Sequence, residues 1–282
     1  MHCNTIEVGA SRFANNAPLV AIAGVNVLES ASLVDEVAAH CVEVCRELGA
    51  PLVFKGSFDK ANRSSIHSFR GPGMQTGLKM LADVKGRHGV PVITDLHEPH
   101  QAAPVAEVAD ILQLPAFLSR QTDLVVAMAK TGKPIHVKKA QFLAPGEMQL
   151  IIDKCTQAGN NKVLLCERGT SFGYHNLVVD LLGFDQMKAT GAPLVFDVTH
   201  SLQLPGAGSG AAGGRGGQAL GLAKAGVAQS IAGVFVEMHP EPEMAKCDGP
   251  SALRMADFKE FLRQLCELDR LVKSQPPLTG VA

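Results

Sequence analysis

The sequence predicts a (β/α)₈ barrel, the closed barrel of eight parallel strands that is also called a TIM barrel. Two observations predict it: short apolar runs alternate strictly with stretches of helical periodicity, and each kind occurs eight times. Such alternation is typical of parallel strands joined by crossover helices, and eight units in about 250 residues is the size of the closed barrel. A doubly wound open sheet is the second interpretation, although it usually stops near roughly five or six strands. No linker or change of composition divides the chain, so we expect residues 1–282 to form a single domain.

The first unit shows the pattern most clearly. A polar N-terminal stretch, which we expect to form a short hairpin, precedes the apolar run Leu19–Ala23 and Gly24. Apolar residues then recur every three or four positions over Ser32–Leu48, which predicts a helix. Gly49 follows it as a C-cap, because glycine adopts the left-handed conformation that ends many helices.

The remaining units repeat this pattern with short turns between them. In chain order they are strand Pro51–Phe54, helix Met74–Arg87, strand Pro91–Thr94, helix Gln101–Ala109, strand Asp110–Leu114, helix Thr122–Thr131, strand Pro134–Val137, helix Pro145–Ala158, strand Lys162–Cys166, helix Leu177–Ala189, strand Pro193–Val198, helix Gln218–Ala225, strand Ile231–Val236 and helix Ser251–Lys273.

Charged and polar residues gather at the carboxyl ends of these strands. They are Asn26, Glu29, Lys55, Asp95, His97, Gln113, Arg120, Lys138, Gln141, Glu167, Arg168, Asp197, His200, Glu237 and His239. The opposite ends are largely Gly-Ala-Pro, Gly-Val-Pro or Gly-Lys-Pro turns. In a barrel all carboxyl ends meet at one mouth, where barrel enzymes keep their active sites. This asymmetry predicts an enzyme whose substrates are anionic.

The stretch from Leu52 to Ser65 is the richest in such groups. A buried strand is followed within eleven residues by Lys55, Lys60, Asn62, Arg63, Ser64 and Ser65. Ammonium and guanidinium groups bind phosphate oxygens, and amides and hydroxyls orient them. A solvated surface loop is the alternative interpretation for this stretch alone.

Lys55, Lys138 and Arg168 follow three different strands, and we expect them to converge on a ligand. A structural ion pair inside the barrel is the alternative. The carboxylates that could supply it are Asp95, Glu167 and Asp197. A desolvated lysine at this depth could also form an imine with a carbonyl substrate, so the residues leave imine formation and phosphate binding both open.

Histidines and carboxylates form a second group at the strand ends, namely His200, Glu237, His239 and Asp248. Such residues are the usual ligands of a divalent metal, but the combination is too common to decide the matter. We interpret His97 and His136 as structural or general polar contacts.

The glycine-rich segment Gly206–Gly217 formally matches a dinucleotide-binding fingerprint at Gly208–Gly213. We reject this match because the preceding strand ends too far upstream and no helix begins inside the segment. A mobile lid and an inert flexible loop are both open interpretations.

Composition excludes several classes of protein. The net charge of −1 provides no strong field toward nucleic acid or a membrane, and no apolar run approaches the roughly 20 residues of a membrane span. The first residues do not resemble a secretory signal. The seven cysteines are scattered singly, which suits a reducing cytosol, so we expect a cytoplasmic protein. We expect Cys41 and Cys45 to lie on the buried face of a helix rather than to bind a metal.

Eight segments of the chain, in order and over nearly its whole length, resemble one family. They are Asn26–Ser30, Phe54–Ser65, Thr94–Glu98, Gln113–Asp123, Lys138–Gln141, Cys166–Gly169, Asp197–Ser201 and Lys246–Ser251. The family is 3-deoxy-D-manno-octulosonate 8-phosphate synthase, and the run Lys60–Ser65 is a highly specific motif. The resemblance implies a (β/α)₈ homotetramer that condenses phosphoenolpyruvate with D-arabinose 5-phosphate and water. The products are phosphate and the eight-carbon sugar acid of the lipopolysaccharide core.

The resemblance also implies roles for individual residues. Phosphoenolpyruvate would be held by Lys55, Lys60, Lys138, Arg168 and His200, in a site lined by Ser57, Gln113, Ala116 and Glu237. Arabinose 5-phosphate would be held by Asn62, Arg63 and Ser64, with Arg120 reaching its phosphate from a neighbouring subunit. The catalytic group would be Asn26, Lys138, His200 and Asp248. Together the substrates carry about four to five negative charges, which these cations would balance in a low-dielectric site.

Asn26 bears on the need for a metal. The family has a metal-dependent branch with Cys, His, Glu and Asp ligands, and the resemblance places Asn26 at the cysteine position beside His200, Glu237 and Asp248. A neutral amide cannot replace a thiolate as a soft ligand. We therefore predict that neither a metal nor another cofactor is required.

Two other functions stay open. One is the related synthase that joins phosphoenolpyruvate to erythrose 4-phosphate, which shares the barrel but needs the metal cysteine. The other is a non-catalytic barrel that binds phosphosugars.

Overall fold

A computed structural model describes residues 4–206, 213–276 and 278. In chain order its strands are β1 (Ile6–Val8), β2 (Ser11–Phe13), β3 (Val20–Val27), β4 (Leu52–Ser57), β5 (Val92–Asp95), β6 (Ile111–Leu114), β7 (Ile135–Lys138), β8 (Val163–Glu167), β9 (Thr170–Ser171), β10 (Leu177–Val178), β11 (Leu194–Asp197), β12 (Gln203–Leu204), β13 (Gly213–Gly214), β14 (Gly233–His239) and β15 (Leu253–Arg254).

Within the described residues, eight parallel strands close into a barrel. The order around it is β3, β4, β5, β6, β7, β8, β11 and β14, and β14 pairs with β3 to close the ring. The predicted (β/α)₈ barrel is confirmed, and the open doubly wound sheet is excluded by this closure.

Helices follow the barrel strands and pack around them. They are α1 (Ala31–Leu48), α2 (Met74–His88), α3 (Ala102–Val108), α4 (Thr122–Lys130), α5 (Met148–Gln157), α6 (Leu182–Lys188), α7 (Val198–Ser201), α8 (Ala219–Val227) and α9 (Phe258–Ser274). The side chain of Ser30 caps the start of α1, and Gly49 ends it with φ 64°, so the predicted C-cap is confirmed. Among the described residues, no helix is long and apolar enough to cross a membrane.

Two predicted helices begin later than expected. Leu177 and Val178 form β10, which pairs with β9 in the loop after β8, and α6 begins only at Leu182. Similarly, Leu253 and Arg254 pair with β14, and α9 begins at Phe258. In both places tertiary pairing overrides the local helical pattern. The prediction also missed α7, a single turn directly after β11.

The N-terminal hairpin of β1 and β2, which is confirmed, closes the end of the barrel opposite the mouth. Ile6, Val8 and Phe13 are buried in one cluster with barrel-interior side chains. The Ser11 hydroxyl donates to the carbonyl of Leu52, at the amino end of β4. The amino ends of the strands are thereby sealed by apolar side chains, which leaves the other end for polar groups.

A second, larger apolar layer lies between the strands and the outer helices. On α1 the residues Val34, Val37, Cys41 and Cys45 are buried, so the expected placement of the two cysteines on the buried face is confirmed. All cysteines of the described residues are free.

Candidate active site

A cavity of about 610 Å³ opens at the carboxyl ends of the barrel strands. The predicted cations that line it are Lys60, Arg63, Lys138 and Arg168. The other predicted residues that line it are Asn62, Ser64, Gln113, Ala116, His200 and Asp248. The structure thus gathers groups from at least five segments of the chain around one space, as expected for strand ends in a closed barrel.

Lys55 lies beneath this cavity rather than on its wall. Its side chain is fully buried, and the ammonium donates to the carbonyl oxygens of Val25 (3.1 Å) and Asn26 (2.6 Å) and to the carboxylate of Glu237. An ammonium carries three N–H groups, so these contacts occupy all of them. Burial lowers the pKa of Lys55 to about 8, although Glu237 opposes the shift. In this arrangement Lys55 supports the site from below.

Glu237, at the end of β14, is also buried beneath the cavity. Burial alone would raise its pKa, but His200, Lys55 and Lys60 outweigh burial and lower the pKa to about 2. Its Oε1 lies 3.8 Å from the ammonium of Lys60, and its Oε2 lies 3.6 Å from Nε2 of His200. Glu237 is therefore a fixed anion that organises Lys55, Lys60 and His200.

Asn26 lies within the group of potential metal ligands. Its amide nitrogen donates to Glu237 and to Oδ2 of Asp248 (3.1 Å), and one ligand atom each of His200, Glu237 and Asp248 lies within 4.8 Å of the others. The reversed amide would turn its carbonyl oxygen toward two carboxylates, which is unfavourable. In this arrangement an N–H donor, rather than a lone pair, points at the two carboxylates.

Asp248 itself has φ 52°, in the left-handed region that residues other than glycine seldom adopt. Such a conformation persists only where the surroundings enforce it, and it occurs often at functional sites. Here it belongs to the residue whose carboxylate accepts from Asn26.

Asp197 joins Lys138 to His200 at the end of β11. It forms a buried ion pair with Lys138, and its Oδ2 lies 2.7 Å from Nδ1 of His200. Despite burial, His200 and Lys138 hold the pKa of Asp197 well below its usual value. The predicted alternative of an ion pair with Asp197 is therefore realised for Lys138, which nevertheless also lines the cavity.

Arg168 is held in place from two sides. Its Nη2 donates to Oε1 of Gln203 (2.9 Å), and its backbone N–H, like that of Gly169, donates to the carboxylate of Glu167. The Nη1 group is buried and has no hydrogen-bond partner among the described residues. A buried donor without a partner is unfavourable unless a ligand supplies an acceptor. Nη1 of Arg168 is thus a buried donor that a ligand in the cavity could satisfy.

Asp95 and His97 extend the site beyond the sequence prediction. Both line the cavity, and His97 Nε2 lies 3.4 Å from Asp95 Oδ2. Burial alone would raise the pKa of Asp95, but Lys60 and His97 outweigh burial and lower this pKa. Their position at a strand end was the available signal for a role in the site. Gln203, by contrast, follows β11 without any motif that marks it.

Two other predicted residues lie off the cavity. Ser57 is fully buried, with a hydroxyl that has no hydrogen-bond partner among the described residues. Arg120 is exposed and does not line the cavity, and its carbonyl accepts from the Lys154 ammonium at 3.0 Å. Of the glycine-rich segment Gly206–Gly217, for which a lid and an inert loop were both open, residues 207–212 lie outside the described part of the chain.

Comparison with known proteins places the chain among related enzymes. Residues 6–274 match the profile of the "DAHP synthetase I family". A protein of Marinobacter nauticus named "2-dehydro-3-deoxyphosphooctonate aldolase" is 59% identical over 275 residues, 98% of each chain. Proteins with the same name are 60% identical over 268 residues in Acinetobacter baumannii (95% of this chain, 94% of the relative) and 59% identical over 276 residues in Hahella chejuensis (98% of each). The chain therefore belongs to the DAHP synthetase I family.

Proposed function

We propose that the protein condenses phosphoenolpyruvate with D-arabinose 5-phosphate and water to give 3-deoxy-D-manno-octulosonate 8-phosphate and phosphate. This is the activity of its close relatives, which are named for the same octulosonate phosphate. The observation that carries the proposal is the meeting of Lys60, Arg63, Lys138 and Arg168 around one cavity. Two phosphorylated substrates can approach each other only where such charges offset their repulsion.

We assign the substrate contacts by combining the resemblance with the geometry. Lys60, Lys138, Arg168 and His200 would bind phosphoenolpyruvate, with Gln113, Ala116 and the buried Ser57 completing its site. Asn62, Arg63 and Ser64 would bind arabinose 5-phosphate. Lys55, assigned to phosphoenolpyruvate from the resemblance, would act through Glu237 instead, because its three donors are occupied.

The reaction forms one C–C bond and, from water, one C–O bond, and it breaks the C–O bond to phosphate. C3 of phosphoenolpyruvate attacks the aldehyde carbon, and water adds to C2. The resulting hemiketal phosphate expels phosphate by C–O cleavage. Negative charge on the departing phosphate would be stabilised by Lys138 and Arg168.

Proton transfers accompany these steps. The aldehyde oxygen gains a proton as it becomes a hydroxyl group, and the attacking water loses one as it adds to C2. The C2 hydroxyl of the hemiketal then loses its proton to the departing phosphate as the ketone forms. The candidates for these transfers are Lys138, His200 and Asp248, and His200 bridges the anions Asp197 and Glu237. Asn26 would orient the two carboxylates rather than transfer a proton, because an amide does not ionise in this range.

A phosphate-release assay tests the proposal. With phosphoenolpyruvate present, we expect phosphate release with arabinose 5-phosphate and much less with erythrose 4-phosphate or no acceptor. R63A should lower kcat/KM by at least about a hundredfold, since a guanidinium contact to a charged substrate is lost. R254A, which removes an exposed ion pair with Glu243, is the matched control. Release only with erythrose 4-phosphate would assign the aromatic-pathway reaction, and no release with either sugar would indicate a phosphosugar-binding barrel.

We also propose, from the amide–carboxylate contacts of Asn26, that the reaction requires no metal. The same assay in the presence of a chelator tests this. Activity should persist in EDTA. Loss of activity in EDTA with recovery on adding Zn²⁺ or Mn²⁺ would overturn this part of the proposal. Borohydride with substrate should trap no lysine, because the reaction proceeds without an imine.

We further propose a homotetramer in which Arg120 reaches the cavity of a neighbouring subunit. Arg120 is exposed, and Phe117 beside it exposes 55% of its surface, Phe142 61% and Phe172 67%. Apolar exposure of this extent next to a substrate cavity is typical of a covered surface. Light scattering should give four chains per particle, and a monomeric active enzyme would contradict the proposal.

The free cysteines of the described residues support a cytoplasmic location, which expression with a compartment marker would test.

A further inference from the structure

His136 is a histidine inside the barrel that the reaction described above does not use. It lies on β7 two residues before Lys138, so both side chains point to the same face of the strand. The imidazole is fully buried and is stacked on Phe235, with ring centroids 5.8 Å apart and an interplanar angle of 11°. The Lys138 ammonium lies 3.1 Å from the centroid of the same ring. The stack fixes the plane of the imidazole directly beneath the substrate cavity.

The polar contact of this imidazole is with Gln113. The two residues are direct partners across β6 and β7, and Nδ1 of His136 lies 3.2 Å from Oε1 of Gln113. A carboxamide oxygen can only accept a hydrogen bond. With Gln113 Oε1 as the acceptor, the proton lies on Nδ1 of His136, and Nε2 is the unprotonated nitrogen.

The charge state of His136 agrees with this assignment. Burial, and then the positive charge of Lys138, hold the pKa of His136 well below its usual value, although Asp197 opposes them. The imidazole is thus neutral at physiological pH and has a single proton to donate. Its Nε2 has no hydrogen-bond partner among the described residues, as expected for the nitrogen that carries no proton.

This contact of His136 determines the orientation of the Gln113 amide nitrogen. This residue lines the cavity, and with its oxygen held by His136 the amide nitrogen presents its two N–H groups elsewhere. That nitrogen has no hydrogen-bond partner among the described residues. A donor facing a cavity lined by cations matches an anionic acceptor, whereas the reversed amide would present an oxygen that repels a carboxylate or phosphate.

We propose that His136 is a positioning residue: by donating from Nδ1 to the Gln113 carbonyl oxygen, it holds the Gln113 amide nitrogen toward the cavity as a donor to the anionic groups of phosphoenolpyruvate. The proposal rests on the function proposed above for its substrate, but the tautomer that it requires is a property of the free protein. It also makes His136 part of substrate selection without contact with the substrate.

The first test reads the tautomer directly. Protein labelled with ¹⁵N-histidine is studied by long-range ¹H–¹⁵N correlation at neutral pH, and the His136 signals are assigned by their loss in H136F. We expect a neutral imidazole with its proton on Nδ1. A proton on Nε2, or a doubly protonated ring, would overturn the proposal whether or not the protein has the proposed activity.

The second test separates binding from chemistry. H136F keeps an aromatic ring against Phe235 but removes the donor, and its KM for phosphoenolpyruvate should rise about tenfold, since one oriented hydrogen bond to an anion is lost. The value of kcat should change less, and the KM for arabinose 5-phosphate should not change. H136N, whose amide can still donate to the Gln113 oxygen, should restore most of the affinity.

The matched control is H40F. His40 is half-buried on α1 and lies against Phe258, with ring centroids 6.4 Å apart and far from the cavity. Unchanged KM in both H136F and H40F would overturn the proposal, as would H136N behaving no better than H136F. Absence of activity in the unmodified protein would instead refute the proposed function and leave the tautomer measurement to decide the role of His136.

Discussion

Glu237 balances the positive charges beneath the cavity. The site therefore depends on the partners of this single carboxylate. Its carboxylate accepts from Lys55 and Asn26 and lies near Lys60. Lys55 has no exposed surface, so its charge is tolerated only while an anion accompanies it. Breaking one partner of a buried pair leaves an uncompensated charge, which is more destabilising than removing both partners.

E237Q should therefore destabilise the protein by about 3–5 kcal/mol at pH 7. Because the pKa of Glu237 is lowered to about 2 in the folded protein, its ionisation stabilises the fold above its unfolded pKa of about 4.3. This contribution, about 3 kcal/mol, is lost as pH falls toward 2. Urea unfolding is measured at pH values from 7 to 3. The difference in free energy of unfolding between E237Q and the unmodified protein should decrease as the pH falls. E241Q, at an exposed glutamate, is the control, and a constant gap across this range would contradict the assignment.

At the scale of elements, the contact between β3 and β4 places Lys55 beneath the cavity. Gly24 is paired with Lys55, and a Cβ atom on Gly24 would lie 2.1 Å from the Lys55 carbonyl oxygen. Real Cβ atoms do not approach backbone this closely. Glycine is therefore required for the two strands to meet, and β3 can then continue to Val27 through an irregular register.

G24A should force β3 and β4 apart, with a loss of about 1–3 kcal/mol in stability and a fall in activity, because Lys55 would move. G221A is the matched control: Gly221 is at an exposed position of α8, and a Cβ atom there would contact nothing within 4 Å. That change should stabilise the protein by about 0.5–1 kcal/mol, since alanine favours the helix. Thermal unfolding and steady-state kinetics measure both variants. Equal behaviour of the two would show that the strands can yield at Gly24.

The sequence predicted the strands better than it predicted which side chains of the site contact each other. Each apolar run proved to overlap a barrel strand, because period and length are local properties of the chain. The pairing of Lys55 with Glu237 could not be predicted, since it depends on β3 lying between β4 and β14 in the closed ring. Gln203 was missed for the same reason: its contact with Arg168 joins residues that follow different strands. Strand-end position predicts which groups meet, whereas register decides which of them pair.

At the scale of the whole molecule, the barrel has one end for stability and one for chemistry. The amino end is filled by the hairpin, and its Phe13 is fully buried. The ring packs so close to Gly233 that a Cβ atom added there would lie 3.4 Å from it. The carboxyl end holds the charged cavity. Concentrating buried charge at one end requires apolar packing elsewhere to offset its desolvation. A change in the hairpin should therefore alter stability without altering substrate binding.

F13A tests this separation. Removing a buried phenylalanine ring should lower the free energy of unfolding by about 3–5 kcal/mol, because a cavity is left in the barrel interior. The KM values of the folded enzyme should stay unchanged, since the hairpin packs at the end remote from Lys138 and Arg168. L271A, at a side chain 57% exposed on α9, should change neither property. A large rise in KM for F13A at a temperature where the protein remains folded would mean that the two ends are coupled through the strands, and that the hairpin helps to set the geometry of the charged mouth.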